Sequence, residues 1–182
     1  MNLSDEEPAV TPTPTPKPQE QVKSLTRAKV GDLVSFGKYE QDGSNKDGRE
    51  QIIWQVLEKK SGKLLLVSQQ VLECKPYHEN WGSITWEGSS LRKWLNDTFY
   101  EKAFSSKEQK MIEATRVSAE FNPVSGANPG NDTKDKVFIL SYSEAADYVG
   151  IKKFKNVTPT AYAESKGAGG TKPTKWWVRN PG

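Results

Sequence analysis

Apolar positions are sparse up to Val30 and then recur in short blocks whose spacing switches between strand and helix periods. In VGDLVSFGKYEQ, Leu33, Val34 and Phe36 lie between Gly31 and Gly37, which predicts a short strand bounded by turns. Two apolar runs, Ile52 to Leu57 and Leu64 to Val67, flank Lys59-Lys60-Ser61-Gly62-Lys63. That arrangement predicts a β-hairpin, with Gly62 supplying the positive φ of a tight turn. After an irregular aromatic stretch from Cys74 to Trp86, residues Leu91, Trp94, Leu95 and Phe99 fall at i, i+3, i+4 and i+8. They form one apolar helical face, with Ser89 or Ser90 as its cap. Ser105 and Glu108 have capping-box spacing ahead of Met111 and Ile112 and predict a second short helix. Val137 to Leu140 reads as a buried strand that runs directly into a helix capped by Ser141 with Glu144 and stopped by Gly150. Asn122–Asp132 and Thr160–Thr174 read as loops. Trp176 to Arg179 reads as a terminal strand, with Trp176 and Val178 on one face and Trp177 and Arg179 on the other.

Composition narrows this picture to one ordinary domain and a tail, since the chain has 182 residues. A hydrophobic content of 34% is modest, so the six Trp, six Tyr and six Phe must supply much of the buried area. Residues 1–24, rich in alternating Thr-Pro, are expected to be an extended, disordered linker, with the domain occupying 25–182. Such spacers hold a domain off a membrane or cell wall. An extracellular or cell-surface location is therefore expected, with the anchor or signal segment absent from this sequence; the alternative is the disordered tail of a cytoplasmic protein. No apolar run of 18 residues or more is present, so no membrane insertion is expected within these residues. The net charge of +3 is spread over interspersed signs, which argues against a nucleic-acid partner. The basic run Lys152-Lys153-Phe154-Lys155 reads as a solvated loop.

Chemistry-bearing residues are few. One cysteine, Cys74, excludes an internal disulfide or a cysteine-rich metal site, and one histidine, His78, excludes a two-histidine site. Cys74 and His78 are four apart, but Pro76 between them argues against a nucleophile–base pair on one helical face, and a small buried thiol is the default. His78-Glu79 reads as an exposed loop pair, with metal ligation the competing reading. Asn131, Asp132 and Asp135 gather oxygens suited to calcium yet lack the regular D-x-D-x-D spacing; turn formation and capping compete with that role. No cofactor is expected. Trp54 and Trp94 fall in periodic elements and are expected in the core. Tyr77, Asn80, Trp81 and Trp86 lie in the irregular segment and are the candidate ligand-binding residues, since exposed rings there suit stacking on a sugar or docking a peptide. Burial of those rings beneath the loop is the competing reading. Arg179 is expected to pair with a carboxylate such as Glu87.

Several ordered motifs together resemble a bacterial domain of unknown function, DUF6273. They are Gly31-Asp32, Val34, Phe36-Gly37 and Tyr39; Ile52, Trp54 and Val56-Leu57; and Trp86-Glu87 followed by Leu91-Arg92, Trp94, Leu95 and Asn96. Asp135-Lys136, Phe138, Leu140-Ser141-Tyr142 and Glu144-Ala145 continue the pattern, followed by Pro159 to Ala163 and Trp176-Trp177, Arg179 and Pro181-Gly182. The resemblance covers residues 30–182. It implies that the domain stops before its last strands, which would deprive Trp176 and Trp177 of sheet neighbours. By analogy with C-type-lectin-like and formylglycine-generating-enzyme-like folds, it also implies an α+β domain, a twisted antiparallel sheet flanked by two or three short helices with long loops. Formylglycine-generating enzymes use paired cysteines, which this chain lacks. The function expected is a non-catalytic surface binding or structural domain, its partner a glycan or a protein. The alternative is an enzyme on that scaffold whose catalytic residues lie outside this sequence.

Overall fold

The computed structural model describes residues 22–44, 46–149, 157–169 and 176–181. The bulk of the expected linker, the Lys152–Lys155 basic run and the Gly150 helix stop lie outside these residues. The chain folds as a mixed α/β unit around two antiparallel sheets, one of three strands in the order β1-β2-β3 and one of two. Strands β1 (Leu33–Tyr39), β2 (Glu50–Lys60) and β3 (Lys63–Ser68) form the first, with the expected hairpin between β2 and β3. Its two-residue turn places Ser61 at φ 50° and Gly62 at φ 75°, the mirror-image turn that matches strand twist. Lys23, inside the stretch assigned to the linker, bridges Val34 of the sheet in parallel.

β1 does not run regularly. The register against β2 shifts between Ser35 and Lys38, and this bulge inverts the side-chain alternation. Phe36 and Tyr39 consequently both reach the same core, packing on Phe104 and Phe99 with ring centroids 5.3 and 5.1 Å apart. Gly37 makes the bulge feasible: its φ is +75°, and a Cβ there would lie 2.7 Å from the carbonyl oxygen of Ala103 and from the Phe104 ring. Its N–H donates to Glu108 at 3.0 Å. Gly37→Ala is expected to lower stability by about 2–4 kcal/mol through backbone strain and overpacking; a shift in the urea midpoint measures it, and a cost below about 0.5 kcal/mol would refute the bulge's dependence on glycine.

The predicted amphipathic helix is present as α1 (Ser90–Trp94), a five-residue π turn (Leu95–Phe99) and α2 (Tyr100–Ala103), which follow one another without a break. Ser89 caps it, its hydroxyl accepting from the Arg92 N–H at 3.1 Å. Leu91, Leu95, Phe99, Tyr100 and Ala103 are buried against Tyr39, Ile52, Leu72 and Trp86 as the main core, and Trp54 and Trp94 pack at its edge as expected. A smaller cluster of Ala28, Val34 and Val56 closes the other end of the sheet. The capping box of Ser105 and Glu108 opens α3 (Ser106–Gln109) as expected.

Three expectations fail beyond this point. Val137–Leu140 is half-buried and is not a strand; the strand lies just before it, β5 (Thr133–Asp135), paired with β4 (Thr115–Val117). The apolar side chains of Val137, Phe138 and Ile139 do pack on the core, but the backbone of Val137 and Ile139 bonds to side chains. Asn96 donates to Val137 O and accepts from the Lys136 N–H, and Arg179 donates to Ile139 O. Residues 176–179 likewise form no strand, and the rings of Trp176 and Trp177 are 40% and 53% exposed rather than interior. The segment is held through Arg179 and Asn180, both buried. The loop from Thr160 contains a short helix, α5 (Ala161–Ser165), because the Thr160 hydroxyl caps the Ala163 N–H at 3.1 Å. The helix at Ser141 forms as expected, as α4 (Tyr142–Val149), with reciprocal bonds between Ser141 and Glu144.

Candidate ligand-binding site

The four candidate residues separate in the structure. Trp86 opens a helical turn (Trp86–Gly88), is 4% exposed and donates its indole N–H to Asp135 at 2.9 Å, so its faces are unavailable to a ligand. Burial wins here because the ring fills the core below α1 while a carboxylate serves its one polar atom. Tyr77 is half-buried between Trp86 and Trp177, with centroids 6.3 and 5.9 Å away, and its hydroxyl donates to Arg179 O. Burial pushes its phenol up to about 12, with the Arg179 charge working the other way. Only Asn80 and Trp81 are exposed, Trp81 completely.

His78 anchors the start of their loop. Its Nδ1 accepts from the Ser90 N–H at 3.1 Å, and the Glu79 N–H donates to the Ser90 hydroxyl at 3.0 Å. The histidine is thereby directed at the start of α1. Cys74 is a free, half-buried thiol.

Beside this loop an open depression of about 460 Å³ runs along α1, lined by His78, Ser90, Glu87, Arg92, Lys93, Asn96, Asp97, Lys134 and Asp135. Its floor is the Asp135 carboxylate, which accepts from Arg92 Nε at 2.7 Å, from Trp86 Nε1 at 2.9 Å and from the Thr133 hydroxyl at 2.6 Å. The π turn widens the helix here and carries both Asn96 and Asp97; such turns are frequent at functional sites. Sequence reasoning missed Arg92, Lys93, Asp97 and Lys134 as site residues. The only signal was that Arg92 and Asp135 occupy polar positions inside otherwise apolar motifs.

The oxygens considered for calcium do not converge. Asp132 accepts from Arg116 and from the Ala119 N–H, Asp135 is spent as described, and Asn131 donates to Glu87. Among the described residues, three carboxylates approach one another at Glu40, Asp42 and Glu50. Backbone N–H groups of Gly43, Ser44 and Gln41 already bond one oxygen of each, which is the chemistry of a loop turning on itself. Nor does Arg179 pair with Glu87: it forms a two-pronged bridge to Glu144, at 2.6 and 2.7 Å. No described helix is long and apolar enough to cross a membrane.

Comparison with curated proteins and with solved structures gives no match. The family model of DUF6273, a domain of unknown function, matches residues 61–182, from the β2–β3 turn onward, leaving the Gly31–Tyr39 and Ile52–Leu57 motifs outside the matched stretch. On that match, which spans most of the chain, the protein belongs to the DUF6273 family.

Proposed function

We propose that this chain is a non-catalytic binding domain, displayed at a bacterial cell surface on its Thr-Pro spacer, with a C-type-lectin-like arrangement in which loops rather than the sheet meet the ligand. The observation that carries the proposal is Trp81, a fully exposed indole three residues along the chain from His78, which lines an open, polar depression. Leaving such a ring in water forgoes the stabilisation its burial would bring, roughly 2–3 kcal/mol, and an aromatic at a rim gives a ligand a large rigid face at little entropic cost. The ion pairs with a buried member, Asp135–Arg92 and Glu144–Arg179, support the same conclusion, because each is turned inward to hold backbone segments together.

The test is an array bearing neutral glycans, acidic glycans and peptides, probed with the wild-type chain and with Trp81→Ala. Retention of the wild type on some class of probe, reduced at least about tenfold by Trp81→Ala at unchanged melting temperature, is the expected result. No retention on any class, or retention indifferent to Trp81, would overturn the proposal.

A further inference from the structure

The charges around the depression narrow the class of ligand. Arg92, Lys93 and Lys134 face it, and so do Glu87, Asp97 and Asp135, so the cations are matched one for one by carboxylates. Arg92 is already committed: its Nε is on Asp135, and its Nη1 donates to Glu87 O at 3.1 Å. A polyanion entering here would meet as much repulsion as attraction and would gain little from the two lysines. An apolar peptide anchor fares no better, because the lining is made of charged and polar side chains with no hydrophobic pocket to receive it.

A hydroxyl group suits such a surface, since it donates to Asp97 and Glu87 and accepts from Lys93 and Lys134 without carrying charge. Chain connectivity keeps Trp81 in the neighbourhood of these groups. Glu79 is tied to Ser90 at the mouth of the depression, and two residues of chain limit Trp81 Cα to within about 7 Å of Glu79 Cα. An indole face stacks on a flat, C–H-bearing ring while the neighbouring polar groups take the ring's hydroxyls. Resting on the binding-domain reading above, we infer that the depression takes a neutral saccharide, with Trp81 as its stacking platform and Lys93, Asp97 and Lys134 as its hydroxyl partners.

Titrations followed by tryptophan fluorescence separate the cases, using neutral hexasaccharides (cellohexaose, chitohexaose, mannohexaose), a hexagalacturonate, and a mixed peptide pool. Binding of a neutral hexasaccharide is expected, weakened at least about tenfold in Trp81→Ala and several-fold in Asp97→Ala. Its Kd should change by less than about twofold between low and high salt, because no net charge is neutralised. Binding of the hexagalacturonate alone, with the steep salt dependence of an anion site, would overturn the inference and leave the binding-domain reading standing, as would binding of the peptide pool alone. Silence from all three would overturn both. Neutral-saccharide binding that is indifferent to both Trp81→Ala and Asp97→Ala would overturn the inference by placing the sugar elsewhere.

Discussion

Replacing Asp135 with alanine is expected to destabilise the protein by about 3–5 kcal/mol, the range for breaking a buried charge pair from one side. The side chain is wholly buried, yet three donors converge on it from three parts of the chain: the Trp86 indole, the Arg92 guanidinium and the Thr133 hydroxyl. Removing it strands all three donors at once, and an unsatisfied buried donor costs more than a hydrogen bond is worth. Asp135→Asn keeps the shape but removes the charge and should fall between alanine and wild type. Urea unfolding gives the energies, and near-ultraviolet circular dichroism reports whether Trp86 has lost its fixed orientation. An alanine variant within about 1 kcal/mol of wild type would show that Asp135 does not organise this region.

Arg179→Ala is expected to cost a similar amount, about 3–5 kcal/mol. Arg179 is 3% exposed and bonds both oxygens of Glu144 and the Ile139 carbonyl, while its backbone N–H bonds the Leu140 carbonyl. One side chain thus joins three things: the last described segment, the start of α4, and the apolar stretch before it. The pair also predicts a pH dependence. Burial pushes the Glu144 carboxyl up, but hydrogen bonds from Arg179 and from the Ser141 N–H outweigh this and hold it below the ordinary glutamate value. A lowered folded-state value means that the contribution is complete above the unfolded value of about 4.3 and is lost as pH falls through the lowered one. Wild-type stability should therefore decline more steeply in acid than that of Glu144→Gln, with Arg179→Ala following the flatter course. Parallel acid limbs in all three proteins would contradict the pairing.

Part of the molecule was legible from local pattern. The β2–β3 hairpin, the face of Leu91, Trp94, Leu95 and Phe99, and the caps at Ser89, Ser105 and Ser141 all follow from periodicity and from hydrogen bonds made within four residues. The candidate site was legible only in half. An aromatic-rich irregular segment was evident, but Trp86 and Trp81 stand five residues apart with opposite fates, and nothing local distinguishes them. The discriminating fact is Asp135, 49 residues further on, which makes burial of the Trp86 indole affordable.

The same division explains the strands that did not form. An apolar run such as Val137–Leu140 establishes that its side chains will be buried, and they are packed on the core. It does not establish what will satisfy the backbone. A ladder partner, Asn96 or Arg179 can each do so, and that choice depends on which groups tertiary packing brings within 3 Å. Short-range spacing therefore determined where this chain turns, caps and presents its apolar faces. Which rings remain in water, which charges turn inward, and which segments take side chains in place of sheet neighbours were decided only once distant residues met.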